Sequence, residues 1–185
     1  FNPQNTIRVF VSSYTQNPDV RNLQEVPDLT NVQFISVGNK DLRSSYTHRI
    51  NFHYTLSNIE KGRTFMWMFS GQITQDYIGQ SITYNPDTIV IDGTEYNPLQ
   101  YSTYENMDGY SQLRTHISYG FPINFIKCNL NLMAGYSWTR TPSMINGEHN
   151  ITSNMGYDAM FSLGSNISEN IDFTVGWRGT YSQAW

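Results

Sequence analysis

The sequence predicts an all-β protein: an antiparallel meander of about seven or eight long strands, a segment of a barrel that crosses a lipid bilayer. Three observations predict it. Apolar and polar residues alternate over stretches of about a dozen residues, twice a common globular strand, where a tilted bilayer crossing needs about 9–11. Only 14% of the residues are charged, against about a quarter in soluble proteins; Asn, Ser, Thr, Gly and Tyr take their place. The connections run alternately long and short, as they do in outer-membrane barrels, whose turns are short on one side and loops long on the other.

The clearest element is the last hairpin, residues 154–182. Met155, Tyr157, Ala159, Phe161 and Leu163 fall on one face, and Asn154, Gly156, Asp158, Met160 and Ser162 on the other. The return arm aligns Ile171, Phe173, Val175, Trp177, Gly179 and Tyr181 against Asp172, Thr174, Gly176, Arg178, Thr180 and Ser182. One face suits lipid; the other, small and polar, suits a wet lumen.

From the start of the chain, residues 6–13 form a first strand with mixed faces. In the long stretch 14–45, Asn17-Pro18-Asp19 caps a helical turn over 20–24, and 32–36 is a brief strand ended by Gly38-Asn39. Residues 46–56 alternate cleanly, with His48, Ile50, Phe52, Tyr54 and Leu56 opposite Arg49, Asn51, His53 and Thr55. A turn at 57–63 leads to the strand 64–74, whose second face carries Met66 and Met68. Near 75–78 the alternation slips by one, the mark of a β-bulge.

The excursion 75–109 is full of turn-formers, Asn85-Pro86-Asp87, Asp92-Gly93 and Asn97-Pro98, around a small apolar run at 89–91. Residues 110–119 and 128–138 are strands joined by an aromatic-rimmed turn at 120–127. A third long loop, 139–152, holds Pro142 and Asn146-Gly147. The expected outer loops are thus 14–45, 75–109 and 139–152, and the periplasmic turns 57–63, 120–127 and 165–170, all within one unit over 1–185. Aromatic residues gather near strand ends, as a membrane-interface girdle requires.

From Val26 onward the chain resembles a known family. Val26-Pro27-Asp28-Leu29-Thr30-Asn31, Val37-Gly38-Asn39-Lys40-Asp41-Leu42 and Tyr46-Thr47-His48-Arg49-Ile50 are similar to the G-N-P-D-L-K-P-E signature of TonB-dependent receptors, in the C-terminal part of their barrel. Lys61-Gly62-Arg63-Thr64-Phe65, Tyr104-Glu105-Asn106-Met107-Asp108-Gly109, Tyr119-Gly120-Phe121-Pro122-Ile123 and Met144-Ile145-Asn146-Gly147 follow in the family's order, as does the turn at 165–172. Lys40 stands where the family has Pro, and Ser44-Ser45 where it has Pro-Glu. No plug, TonB box or terminal aromatic signature is visible. The resemblance implies a Gram-negative outer-membrane barrel of about 22 strands when whole. It also implies energised import of a nutrient, such as a metal chelate, peptide or glycan, driven by a TonB-type partner acting on a plug absent from this chain. The abrupt ends read as those of a cut segment with any export signal removed. Its expected contacts are outer-membrane lipid, and a lipoprotein or a second copy through open strand edges.

The chemistry is sparse. The net charge of −4 and the lack of a basic cluster argue against nucleic acid. The single cysteine, Cys128, excludes an internal disulfide and reads as apolar filler. No apolar run approaches a membrane helix. The four His (His48, His53, His116 and His149) form no zinc motif, and no nucleophile elbow or phosphate loop appears. Glu148-His149 reads as a solvated loop, and Asn150-Ile151-Thr152 fits a glycosylation pattern without meaning in a bacterium. No catalysis, metal or cofactor is expected. Arg49, His53, Arg114, His116 and Arg178 share the lumenal phase and would guide an anionic solute. Tyr84, Tyr96, Tyr101 and Tyr104 are placed in the outer loops, where they would stack on sugar rings or chelates. Two other readings are open: a soluble or surface β-sandwich binding carbohydrate through exposed aromatics, and a small outer-membrane barrel enzyme.

Overall fold

The computed structural model describes residues 4–165 and 173–185. In chain order the elements are β1 (Asn5–Gln16), the one-turn helix α1 (Val20–Leu23), β2 (Phe34–Ser36), β3 (Ser45–Asn58), β4 (Arg63–Gln75), β5 (Tyr77–Tyr84), β6 (Ile89–Ile91), β7 (Thr94–Tyr96), β8 (Gln100–Met107), β9 (Tyr110–Ile123), a 3₁₀ turn (Asn124–Ile126), β10 (Cys128–Ile145), β11 (Glu148–Ser165) and β12 (Thr174–Ala184).

Seven of these strands make the wall. β1, β3, β4, β9, β10, β11 and β12 pair antiparallel in that spatial order. Because partners in a ladder point the same way, the register sorts every side chain onto one of two faces. Ile50, Gly71, Leu113, Trp138 and Met155 form one row, and Leu56, Phe65, Tyr119, Leu132, Phe161 and Trp177 another on the same face. The rows on either side of the Ile50 row, Arg49, Gln72, Gln112, Thr139 and Asn154, and Asn51, Ser70, Arg114, Ser137 and Gly156, point to the opposite face. Along β10 the apolar set extends from Leu130 to Trp138. That is roughly 27 Å of strand at 3.4 Å per residue, which at barrel tilt covers most of a ~25 Å lipid-facing band.

The apolar face is bare. Val11 is 74% exposed and Trp177 55%, and Ile50, Trp67, Ile117, Leu132 and Phe161 are exposed with them. A sandwich would bury these side chains against a second sheet. No such sheet covers this face among the described residues, so the sandwich expectation fails. The sheet is open: among the described residues β1 pairs only with β3, and β12 only with β11.

The other five strands and α1 belong to the long connections, which gather at one end of the wall into an ordered cap. β5 and β8 form a hairpin, β2 adds to β8 in parallel, and the end of β5 pairs in parallel with the tip of β10 at Met144 and Ile145. Ile35 (1% exposed), Leu42, Met107 and Pro142 make a small core. Gly79 lets these parts close up, since a Cβ there would lie 2.9 Å from Met107 Sδ and 3.0 Å from the Pro142 carbonyl oxygen.

Four sequence expectations are corrected here. The slip near 75–78 is not a bulge. β4 ends at Gln75, Asp76 turns the chain at φ 49°, and β5 leaves for a different partner, β8. The stretch 139–152 is not an irregular loop: β10 and β11 stay paired to Ile145 and Glu148 around a two-residue turn. Asn146 and Gly147 hold φ 51° and 78° there, the left-handed pair that a tight hairpin requires. Pro142 is tolerated because it falls after β10 has left β9 at Arg140 and before it meets β5 at Met144. The excursion 75–109 is largely the β5–β8 hairpin with the small β6–β7 hairpin at its tip. In the 120–127 connection β9 runs on to Ile123, and Lys127 in the left-handed region closes the turn. The turn expected at 165–170 lies, after Ser165, outside the described residues, as do Ile171 and Asp172.

Candidate functional site

All five side chains expected to face a lumen sit on the polar face of the wall, but the structure brings only three of them together. His53 on β3, and Arg114 and His116 on β9, line a single concavity of about 350 Å³ with Met68 and Phe10. Arg49 lies higher on β3. Its guanidinium donates to Gln72 Oε1 from Nε at 3.1 Å and from Nη2 at 2.6 Å, and to the Tyr14 hydroxyl at 3.3 Å. Arg178 is apart from the others, on the edge strand β12 opposite Met160.

Among the described residues, none of the five has an acidic cross-strand partner. Arg49 faces Ser12 and Gln72, His53 faces Arg8 and Met68, Arg114 faces Ser70 and Ser137, and His116 faces Met68 and Gly135. The acid in the His116 row is Asp158, one strand beyond Gly135. Its carboxylate fills the space over Gly135 that any side chain there would occupy. This face therefore carries a net positive surface with one carboxylate leaning into it.

A second concavity, of about 330 Å³, lies where the cap meets the top of the polar face. Asn17, Asp19 and Asn22 border it from the β1–β2 connection, Gln72 from the wall, and Tyr77 and Tyr110 from the cap junction. Asp19 is fixed as the helix cap of α1, its carboxylate accepting from the Arg21 N–H at 2.9 Å. Asn17 is held by the Ser44 hydroxyl at 2.8 Å. The Thr47 and Thr74 hydroxyls, 3.0 Å apart, satisfy each other beneath. The Tyr77 and Tyr110 rings stack at 4.5 Å. Carboxamides, a carboxylate and an aromatic pair around a polar hollow are suited to a hydrophilic solute. The sequence reading passed over this pocket. Its one local signal was Asn17-Pro18-Asp19, which registers only as a turn, because the remaining lining comes from distant segments.

The four outer tyrosines do not form one surface. Tyr84 and Tyr104 share a face of the β5–β8 hairpin, Tyr101 points to its other face, and Tyr96 is on the separate β6–β7 hairpin. What orders the cap is the segment read as a receptor signature. The Gly38 N–H donates to the Gln24 carbonyl at 2.9 Å, so close that no Cβ fits at Gly38, and Asn39 Nδ2 donates to the Tyr104 carbonyl at 2.9 Å. Asn106 then clamps two connections at once. Its Nδ2 donates to the Arg43 and Asp76 carbonyls, both at 2.9 Å, and its Oδ1 accepts from the Arg43 N–H at 2.7 Å.

A wall with one bare apolar face, one polar face and a cap at one end is the arrangement of a transmembrane barrel. A family model for the outer membrane protein beta-barrel family matches residues 1–185. The chain belongs to that family. No curated protein matches it. As an outer membrane β-barrel protein, the chain resides in the outer membrane and forms barrel wall there. In a barrel of this family the bare apolar face is the one that lipid solvates, because water has no polar group to bind there and lipid needs none.

Proposed function

We propose that this chain is part of the barrel wall of a TonB-dependent receptor that imports a nutrient, a metal chelate, peptide or glycan. The wall has no catalysis of its own, and needs none for transport. The observation that carries the reading is the polar face: Arg49, His53, Arg114, His116 and Arg178 look inward with no acidic cross-strand partner among the described residues. In a purely structural interior the guanidinium groups of Arg49, Arg114 and Arg178 would be neutralised by neighbours. Left available, they attract an anionic solute or seat the plug of the receptor. The pocket of Asn17, Asp19, Asn22, Tyr77 and Tyr110 lies at the outer mouth of that face, where a solute first arrives. The order of the signature segments along the chain supports the same family of transporters. The exposed backbone edges of β1 and β12 then pair with further strands of the same barrel.

The test is genetic. A strain lacking the protein is grown on a panel of iron chelates, peptides and glycans, each as limiting nutrient, and the panel is repeated in a strain lacking the TonB-type energy coupler. The proposal expects both strains to fail on the same nutrient. A growth defect that appears without the protein but not without the coupler would overturn energised import.

A further inference from the structure

The polar face carries a second, chemically distinct feature: its methionines. Four of the seven Met residues, Met66, Met68, Met133 and Met160, point to this face rather than to lipid or the cap core. Met133 and Met160 are directly opposed. Met68 is directly opposite His53 on one side and His116 on the other, and it is exposed. Thioethers gain nothing from a wet polar wall, since Met is ordinarily among the buried residues.

We propose that His53, Met68 and His116 form a binding site for a soft monovalent metal ion, Cu(I), with Ag(I) as its surrogate. Opposed side chains on neighbouring strands have Cβ atoms about 5 Å apart. The two imidazoles are therefore about 10 Å apart at the backbone, with the thioether on the floor between them. The three side chains line the same concavity, so an ion above the Met68 sulfur is within reach of both rings.

The donor set selects the ion. Two imidazoles and a thioether are neutral, and thioether sulfur favours Cu(I) over hard or borderline divalent ions. No group of three or more His, Cys, Asp or Glu able to hold a metal forms among the described residues, so a Zn(II), Ca(II) or Mg(II) cage is not built here. Arg8, opposite His53, and Arg114, on the rim of the same concavity, point the same way. Their repulsion scales with the charge of the ion and so weighs twice as heavily on a dication.

The surroundings suit ligation. His53 Nε2 and Thr55 Oγ1 are 3.2 Å apart. The contact keeps the His53 ring on this face, and Nε2, the farther-reaching ring nitrogen, exchanges the hydroxyl for the ion. Asp158, leaning over Gly135 beside His116, supplies a carboxylate that offsets the positive charge of the filled site.

The full-length protein, purified in detergent under anaerobic reducing conditions, is titrated with Cu(I) against a chromophoric Cu(I) chelator, and with Ag(I) by elemental analysis. The expected result is one ion retained per chain, with X-ray absorption reporting a mixed nitrogen and sulfur shell. Met68→Leu and His116→Gln should each weaken retention at least tenfold, while Met144→Leu, in the β10 tip, leaves it unchanged. Heat-modified mobility on gels confirms that each variant is folded, and His53→Gln serves in place of any that is not. No retained ion, a shell without sulfur, retention indifferent to Met68→Leu, or equal retention of Zn(II) would overturn the site. The measurement is independent of nutrient import, so its failure leaves the transport reading standing, and the reverse.

Discussion

Tyr77 and Tyr110 stack with their ring centroids 4.5 Å apart and their planes 10° from parallel. Tyr77 opens the cap hairpin at the start of β5, and Tyr110 opens the wall strand β9. The pair joins the cap to the barrel wall at the edge of the second concavity. Stacked aromatic pairs contribute about 0.5–1.5 kcal/mol beyond their buried area. Tyr77→Ala should therefore loosen the cap by about 1 kcal/mol or slightly more. Hydrogen exchange should quicken in β5 and β8 and stay unchanged in β10 and β11.

The same pair sets a pH limit for the cap. Burial raises the Tyr77 phenol above its ordinary value of 10.0, and the neighbouring Tyr110 adds to the rise. The folded form holds this proton more tightly than the unfolded chain does. Its contribution is thus whole below pH 10.0 and is lost as the pH climbs through the higher folded-state value. An ultraviolet phenolate titration should show a late-titrating component that Tyr77→Phe removes, with the cap's alkaline loosening disappearing in the same variant. A titration unchanged by that substitution would contradict the half-buried placement of Tyr77 against Tyr110.

Asn106 binds Arg43 and Asp76 through three hydrogen bonds. At about 1 kcal/mol net for each, Asn106→Ala should destabilise the cap by about 2–3 kcal/mol. Limited proteolysis should then cut between α1 and β3 well before it cuts the wall. Asp76→Asn, which removes only the exposed ion pair to Arg43, should cost under about 1 kcal/mol.

The wall was legible in the sequence because its two faces differ chemically at almost every step. Leu130, Leu132 and Ala134 alternate with Asn129, Asn131 and Met133 without a break, and the register follows that alternation strand by strand. The cap was not legible. Its core is four residues, Ile35, Leu42, Met107 and Pro142, drawn from four separate segments. No one of those segments carries a period long enough to read. Asn146-Gly147 was legible as a turn, yet Pro142 four residues earlier read as part of a long loop. Only the handover of β10 from β9 to β5 shows why a proline fits there. The candidate site divides in the same way. Arg49, His53, Arg114 and His116 were placed on one face by parity alone, whereas the grouping of His53 with His116 around Met68 needed the strand order β3–β4–β9.

Neighbouring residues of β10 should respond oppositely to the same substitution. Leu132→Arg places a charge on the lipid face and should cost about 2–4 kcal/mol near the bilayer midplane. Met133→Arg, one residue on, points to the polar face and should cost far less. Denaturant unfolding in vesicles gives both values, and folded yield in the outer membrane should fall for Leu132→Arg alone.

The most direct test of the two-faced wall is site-directed spin labelling along β10. Single cysteines at positions 130 to 136, in a Cys128→Ser background, are labelled in bilayers and probed with oxygen and with a water-soluble nickel chelate. The account predicts oxygen preference at 130, 132, 134 and 136 and chelate preference at 131, 133 and 135. Uniform accessibility, or the opposite phase, would contradict both the lipid-facing assignment and the inward placement of His53, Met68 and His116.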